Sequence, residues 1–457
     1  MTDDTDAPFW DLERYRARPG GGGGAGRGGG GGAVATPEWD APPPRPQGRP
    51  LALGYGSDPA RLFGTALWSC FLTILTLGIY RFWMITRLRR FYWGAVQIDG
   101  DPLEYTGTPI EKLLGFLLAL VLLALYLGLV NLGLTFVGLS IATDDPVMLN
   151  LVLQISVLAT IPLIFYATYR GQRYLMARTR WRGIRFGLGP GAWGYTVRGC
   201  LLSVLSIVTL GLAWPFQQFR MAKYITDRTW FGDMKFEQEG SWTELFAQWI
   251  QLYLAAAALG LMVWAVADNP GDPMAAFFGG VALSMGGLLM MLMLQRYQIA
   301  AFRILWSNRR LEEAEFANDV ATGRVLFYMI GGAIAVMVVS VFAAVLLGVA
   351  GYFLLEATGL SPDPAVMEAM MASNDPAALT EAGPAALLVV LGYLVFFAIA
   401  YALTQIFVTS PVLSAKTRAM TVRNVEALEA SRQREHDRAA EAGGFADALG
   451  VDIGAGV

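Results

Sequence analysis

Asp99 with Asp101, and Glu312 with Glu313, are the paired carboxylates whose spacing could support general acid and base work. Both pairs sit in polar turn-like contexts, IDGDP and RRLEEAEF, and they read as solvated turn acids rather than as a dyad. His436, the single histidine, lies in a charged C-terminal stretch. Cys70 and Cys200 each lie inside an apolar run, with neither zinc-ligand spacing nor a disulfide framework. No Gly-x-Ser-x-Gly or His-Glu-x-x-His pattern occurs, and the glycine tracts Gly20 to Gly24 and Gly28 to Gly32 lack the strand and helix that a phosphate loop needs. These residues predict no enzyme, no metal and no cofactor.

The remaining groups with chemical reach are cations beside aromatic residues. Arg87, Arg90, Arg173, Arg220, Lys223 and Arg296 each stand where an apolar stretch ends, and all but Arg87 are next to tyrosine or phenylalanine. Such residues anchor a helix end at lipid headgroups by snorkelling, or hold an anionic ligand there. Headgroup or ligand contact is therefore the chemistry expected of them.

What positions these cations is a membrane. Of the 457 residues, 55% are hydrophobic and only 16% charged, far more apolar surface than soluble cores of this length require. Six uncharged runs are long enough to span: Leu113 to Thr143, Pro146 to Tyr169, Leu245 to Ala267, Met274 to Leu294, Val325 to Leu355 and Pro384 to Lys416, the last counted up to the lysine. Two more, beginning at Leu62 and Gly199, share an internal repeat, since Thr76, Leu77 and Gly78 recur as Thr209, Leu210 and Gly211.

Counting all eight as spans exports basic loops in either orientation, against the positive-inside rule. If the two repeated stretches instead enter the bilayer and return, the lysines and arginines fall on one side. The opposite loops, LSIATDDP, ADNPGD and the one following Leu355, then carry acids and no base. The expectation is an all-α integral membrane protein with six transmembrane helices, two re-entrant or interfacial helical hairpins turning at Gly78 and at Gly211 to Pro215, and small cytoplasmic β-hairpins. Glycine permits the turn, and Pro215 suits the first turn of a returning helix.

A finer repeat supports this arrangement. Four segments place a base and an aromatic ahead of a turn signal flanked by strand-forming residues, with Gly100, Gly183 and Gly232 at the first three turns and none at the fourth, after Arg296 and Tyr297. The domain boundaries that follow are a disordered glycine- and proline-rich tail over 1–57, a first repeat over 58–180, a second over 181–320, a final helix pair over 321–412, and a surface helix with a tail over 413–457. No signal peptide is readable at the N-terminus. Both ends are expected in the cytoplasm.

The stretches TLGIYRFW, RLRRFYWGAVQIDGDPLEYTGT and TRWRGIRFGL resemble the YjgN-like family of bacterial inner-membrane proteins, from about Tyr55 to Lys416. That family has no assigned function, so the resemblance implies location and architecture alone. The first copy has no proline after its glycine, and the second has Trp214 before Pro215.

Three functional classes remain to be weighed. Catalysis lacks a positioned group. Transport is favoured by two glycine-broken hairpins in corresponding places, but the six span interiors hold no Asp, Glu, Lys, Arg or His for coupling, which leaves a passive pore or a conduit for a small molecule or lipid. The reading that uses the basic and aromatic belts is a non-catalytic protein binding membrane lipids, through anionic headgroups, or protein partners at the cytoplasmic face. With a net charge of −3, no nucleic-acid partner is expected.

Overall fold

The computed structural model describes residues 50–141, 154–155, 158–267, 273–357, 383–429 and 431–432. These belong to a single compact unit, 47–457. The fold is all-α and multi-pass, with small β-sheets at one end of the helices.

The chain repeats one motif five times, a strand, a pair of helices and a returning strand. The first unit is β1 (Leu51–Ala52) with β2 (Gly54–Tyr55), α1 (Pro59–Leu75), α2 (Arg81–Ala95) and β3 (Val96–Ile98). The second runs from β4 (Asp101–Pro102) and β5 (Glu104–Tyr105) through α3 (Pro109–Ile141) and α4 (Ile161–Arg178) to β6 (Thr179–Trp181). In the third, β7 (Ile184–Leu188) leads to α5 (Ala192–Val208), α6 (Trp214–Thr226) and β8 (Thr229–Phe231). The fourth holds β9 (Met234–Gln238), α7 (Trp242–Ala267), α8 (Pro273–Ser307) and β10 (Arg309–Leu311). The fifth has β11 (Ala314–Asn318), α9 (Thr322–Ala357), α10 (Gly383–Thr404), a π-helical turn (Gln405–Thr409), α11 (Ser410–Arg418) and β12 (Met420–Arg423).

The hairpins expected as separate features join into one antiparallel circuit. Nine strands follow the order β1-β12-β11-β10-β9-β8-β7-β6-β5, and a further sheet has the order β2-β3-β4. Only Leu53 separates β1 from β2, and only Leu103 separates β4 from β5, so the two sheets are tied at both ends by continuous strands. Leu53 N donates to Met420 O at 3.0 Å and Leu103 N to Val96 O at 3.0 Å, carrying the ladder through both breaks. The pairing therefore closes on itself, and β1, β3 and β6 to β12 each send a side chain into one apolar cluster that includes Leu51, Ile98, Trp181, Phe231, Phe236, Leu311, Phe316 and Val422, with Leu103, between β4 and β5, packed against it. Closure leaves no edge for another chain to pair with.

Between units the strands turn through two residues. Asp99 (φ 53°) with Gly100 (φ 83°), Arg182 (φ 50°) with Gly183 (φ 77°), Gly232 (φ 56°) and Glu312 (φ 50°) supply the left-handed backbone that such turns require. The fourth turn thus forms without glycine.

Two sequence boundaries change. The expected tail over 1–57 reaches too far, because Leu51–Ala52 and Gly54–Tyr55 are strands. Their alternating Leu51, Leu53 and Tyr55 face apolar neighbours. The surface helix expected from residue 413 ends at Arg418, and Met420–Arg423 pairs between β1 and β11, with Met420 and Val422 buried by the same alternation. The glycine tracts, His436 and most of the loops expected opposite the sheet lie outside the described residues.

Five helices among the described residues are long and apolar enough to cross a membrane: Pro109–Phe136, Trp242–Trp264, Gly279–Ser307, Thr322–Ala357 and Val390–Arg418. The sixth expected span, Pro146 to Tyr169, falls partly outside the described residues. The pairs α1–α2 and α5–α6 are shorter, and the Thr-Leu-Gly repeat explains how they turn. Leu77 (φ 50°) and Gly78 (φ 94°) end α1 in the left-handed region, with Gly78 N donating to Thr73 O at 2.7 Å; Leu210 (φ 51°) and Gly211 (φ 91°) do the same for α5, with Gly211 N donating to Ser206 O at 2.6 Å.

The threonine, at the C-cap of the outgoing helix, also ties the turn to the residue that precedes the returning helix. Thr76 Oγ1 accepts from Tyr80 N at 2.9 Å, and Thr209 Oγ1 accepts from Ala213 N at 3.1 Å while donating to Leu205 O. Loss of this side-chain bond in Thr209→Ala is expected to lower stability by about 1 kcal/mol, whereas Thr209→Ser leaves it nearly unchanged. Thermal unfolding of the detergent-solubilised protein checks this. Equal melting temperatures for wild type and Thr209→Ala would mean that the turn holds without this hydrogen bond.

Candidate functional site: the basic ends of the helices

Helix direction governs where each cation reaches. Side chains on a helix lean toward its N-terminus. On α2 and α6, which run from the turn back to the sheet, that lean is away from the sheet. The Arg87 guanidinium lies 5.4 Å from the Tyr80 ring centroid, and that of Arg220 lies 5.3 Å from Phe216. On α5, which leaves the sheet, the lean is back toward it, and Arg198 Nη1 donates to Gly194 O at 3.1 Å.

The other expected cations divide by partner. Arg90 Nη2 donates to Gly107 O at 3.2 Å, tying α2 to the start of the second unit. Lys223 is committed to the fold: its amine pairs with Asp227 at 3.2 Å and donates to Gln238 O. Arg173 is half-buried on α4, and Arg296 is exposed on α8.

Measured from the first residue of each strand turn, Arg90, Arg173 and Lys223 all stand nine residues upstream of Asp99, Arg182 and Gly232. The fourth unit has Arg303 at that position before Glu312, not Arg296, which lies two helical turns earlier. Arg296 with Tyr297 imitates the base–aromatic pattern, but the turn fixes the register. Twelve residues upstream, Arg87 and Arg220 are joined by Arg170.

Of the paired acids, Asp99 and Asp101 are spent on structure. Arg182 contacts Asp101 at 2.5 Å and Asp99 at 3.0 Å, joining the first two strand turns, and these carboxylates hold its guanidinium pKa above the ordinary value, the Asp101 hydrogen bond contributing most. Arg310 bridges Glu239 and Glu315. Arg309 is drawn down to about 10 by burial, so it stays charged at neutral pH, stacked 4.0 Å from the Trp306 ring centroid. Among the described residues no group of histidine, cysteine and carboxylate side chains has a metal-holding arrangement.

One concentration of cations was missed by the sequence reading. Tyr169, Tyr195 and Tyr224 pack together behind α5, with Tyr169 Oη donating to Gly189 O at 2.7 Å and Tyr224 Oη to Gly191 O at 2.9 Å. The guanidinium carbons of Arg228 and Arg198 lie 3.7 and 4.8 Å from the Tyr224 ring centroid. The available signal was Arg198 itself, six residues into an otherwise uncharged helix.

The turn residues also have fixed places. Gly78 and Gly211 sit at the far ends of their helix pairs, and Pro215 lies in the first turn of α6. Arg81 opens α2 at the same far end, about 22 Å of helix from the sheet.

No curated protein and no solved structure matches this chain. A family model described as a bacterial protein of unknown function (DUF898) matches residues 52–372, from the first strand through the fifth outgoing helix. That match covers well over half of the sequence, and the chain belongs to this family.

Proposed function

We propose that this is a non-catalytic, multi-pass protein of the bacterial inner membrane whose basic helix ends bind anionic lipid headgroups beneath a cytoplasmic sheet. Six helices span, and the pairs α1–α2 and α5–α6 enter and return. Every unit begins and ends at the same sheet, so each helix pair leaves and rejoins one side. Arg81 is the exception among the helix-borne bases. At about 22 Å from the sheet in a hydrocarbon core of about 30 Å, its long side chain snorkels to the opposite headgroups.

The observation carrying this reading is the recurrence of cations at equivalent places in successive units: Arg90, Arg173 and Arg303 nine residues before the turn, and Arg87, Arg170 and Arg220 twelve before it. Among the described residues none of these six forms an ion pair with a carboxylate. Each gains on the order of 1 kcal/mol near an anionic surface.

Adding phosphatidylglycerol to the detergent-solubilised protein is expected to raise its melting temperature more than phosphatidylcholine does, with the difference shrinking as salt rises from 50 to 500 mM, on the order of a threefold fall in Debye length. Equal effects of the two lipids would sink the proposal, as would saturable solute flux in proteoliposomes, which favours a conduit. External labelling of Arg87→Cys or Arg173→Cys would overturn the orientation.

A further inference from the structure

We propose that the third unit holds one phosphate group of a phospholipid between Arg198 and Arg228. The inference rests on the headgroup reading above and narrows it to a single place.

Two guanidinium groups on one tyrosine ring repel each other, and the ring's quadrupole compensates only part of that. No carboxylate among the described residues lies within ion-pairing distance of either group. The neighbouring acceptors are already used, Gly189 O by Tyr169 and Gly191 O by Tyr224. Each arginine makes one hydrogen bond, Arg198 Nη1 to Gly194 O at 3.1 Å and Arg228 Nη1 to Tyr224 O at 3.3 Å. A guanidinium has five N–H donors, so most of the donors here have no protein acceptor among the described residues. A phosphate supplies both the countercharge and the acceptors, in a geometry arginine matches well.

The backbone is shaped for this approach. A Cβ on Gly194 would lie 2.5 Å from Tyr224 Oη and 3.1 Å from Arg198 Nη1; on Gly191 (φ 154°) it would lie 2.8 Å from Tyr224 Oη and 3.3 Å from Arg228 Nε. Glycine at both positions admits the Tyr224 hydroxyl to the first turn of α5, with the two arginines close beside it.

The first unit provides an internal comparison, because its helix pair turns on the same Thr-Leu-Gly motif. At the positions matching Arg198, Tyr224 and Arg228 it has Thr65, Phe91 and Ala95. The fold therefore does not require the arginines. What distinguishes the ligand from free phosphate is the surface beyond Arg198. Trp193, Val197, Leu201 and Val208 are all more than half exposed on α5, an apolar track toward the turn that fits an acyl chain.

The test uses the full-length protein in detergent, with native mass spectrometry counting bound phosphatidylglycerol, and inorganic phosphate as the soluble arm. Wild type is expected to retain one lipid at least tenfold more tightly than the rest. Arg198→Gln and Arg228→Gln are each expected to lose that lipid, while Arg61→Gln, on the corresponding turn of α1, keeps it. Arg198 is exposed, so its variant folds even if Arg228→Gln does not. Retention of the tight lipid by Arg198→Gln would overturn this site while leaving the wider headgroup reading intact. Loss of all preference for anionic lipid in wild type would overturn both. Displacement of the lipid by millimolar inorganic phosphate, with phosphate binding abolished in Arg198→Gln, would overturn the lipid in favour of a soluble phosphate.

Discussion

Phe231→Ala is expected to lower stability by about 3–5 kcal/mol, the range for removing a large aromatic side chain from a packed interior. Phe231 is 1% exposed, and its ring centroid lies 4.7 Å from that of Phe186 and 5.7 Å from that of Trp181. The strands around it pair in a closed circuit, so no free edge exists to move inward and fill the space. Phe231→Leu, which keeps most of the volume, should cost less than half as much. Denaturant titration followed by tryptophan fluorescence in detergent measures both. If Phe231→Ala unfolds at the wild-type midpoint, the sheet does not enclose one shared core.

Gly332→Ala is expected to cost about 1–3 kcal/mol or more, and the neighbouring Gly331→Ala almost nothing. The cause is the π-helical turn Gln405–Thr409. Pro411 has no N–H to give the Phe407 carbonyl, and Ser410 N bonds instead to Gln405 O, which widens the turn. The Phe407 carbonyl then lies against Gly332 of α9, where an added Cβ would overlap its oxygen; a Cβ on Gly331 meets nothing within 4 Å. Backbone on both sides leaves nothing flexible to yield. The pair of variants is read by melting temperature, and equal values would mean that the two helices separate at no cost.

Local chemistry was legible in the sequence wherever a short motif has a single mechanical meaning. Thr-Leu-Gly ends a helix and ties its turn to the next, and Asp-Gly and Arg-Gly turn a strand. The circuit of strands was not legible. Its members are two to five residues long, too short for alternation to stand out, and its closing pair joins Leu51 to Val422. Leu51 to Tyr55 is masked by flanking proline and glycine, and Met420 to Arg423 by flanking alanine and charge, so composition pointed to a tail and a helix.

The candidate site followed the same division. That bases cluster at helix ends was readable, but which of them lean toward the sheet and which away from it depends on helix direction. Arg87 and Arg198 differ in that respect, one on a returning helix and one on a departing one. Arg296 was preferred to Arg303 because a base beside tyrosine is conspicuous, whereas the distance to the strand turn carries the register.

Pairing β1 with β12 also sets a timetable for biosynthesis. The first strand leaves the ribosome long before its partner, about 370 residues later at Val422, and at about 5–20 residues per second that delay is on the order of tens of seconds. Through that interval five helix pairs must be inserted while β1 has no partner beyond its own unit, and the aromatic interior stays open on one side. Only the last strand completes the enclosure. A ribosome stalled before Met420 would thus present a fully inserted protein with an unpaired edge, the state most exposed to mispairing and to quality-control proteases.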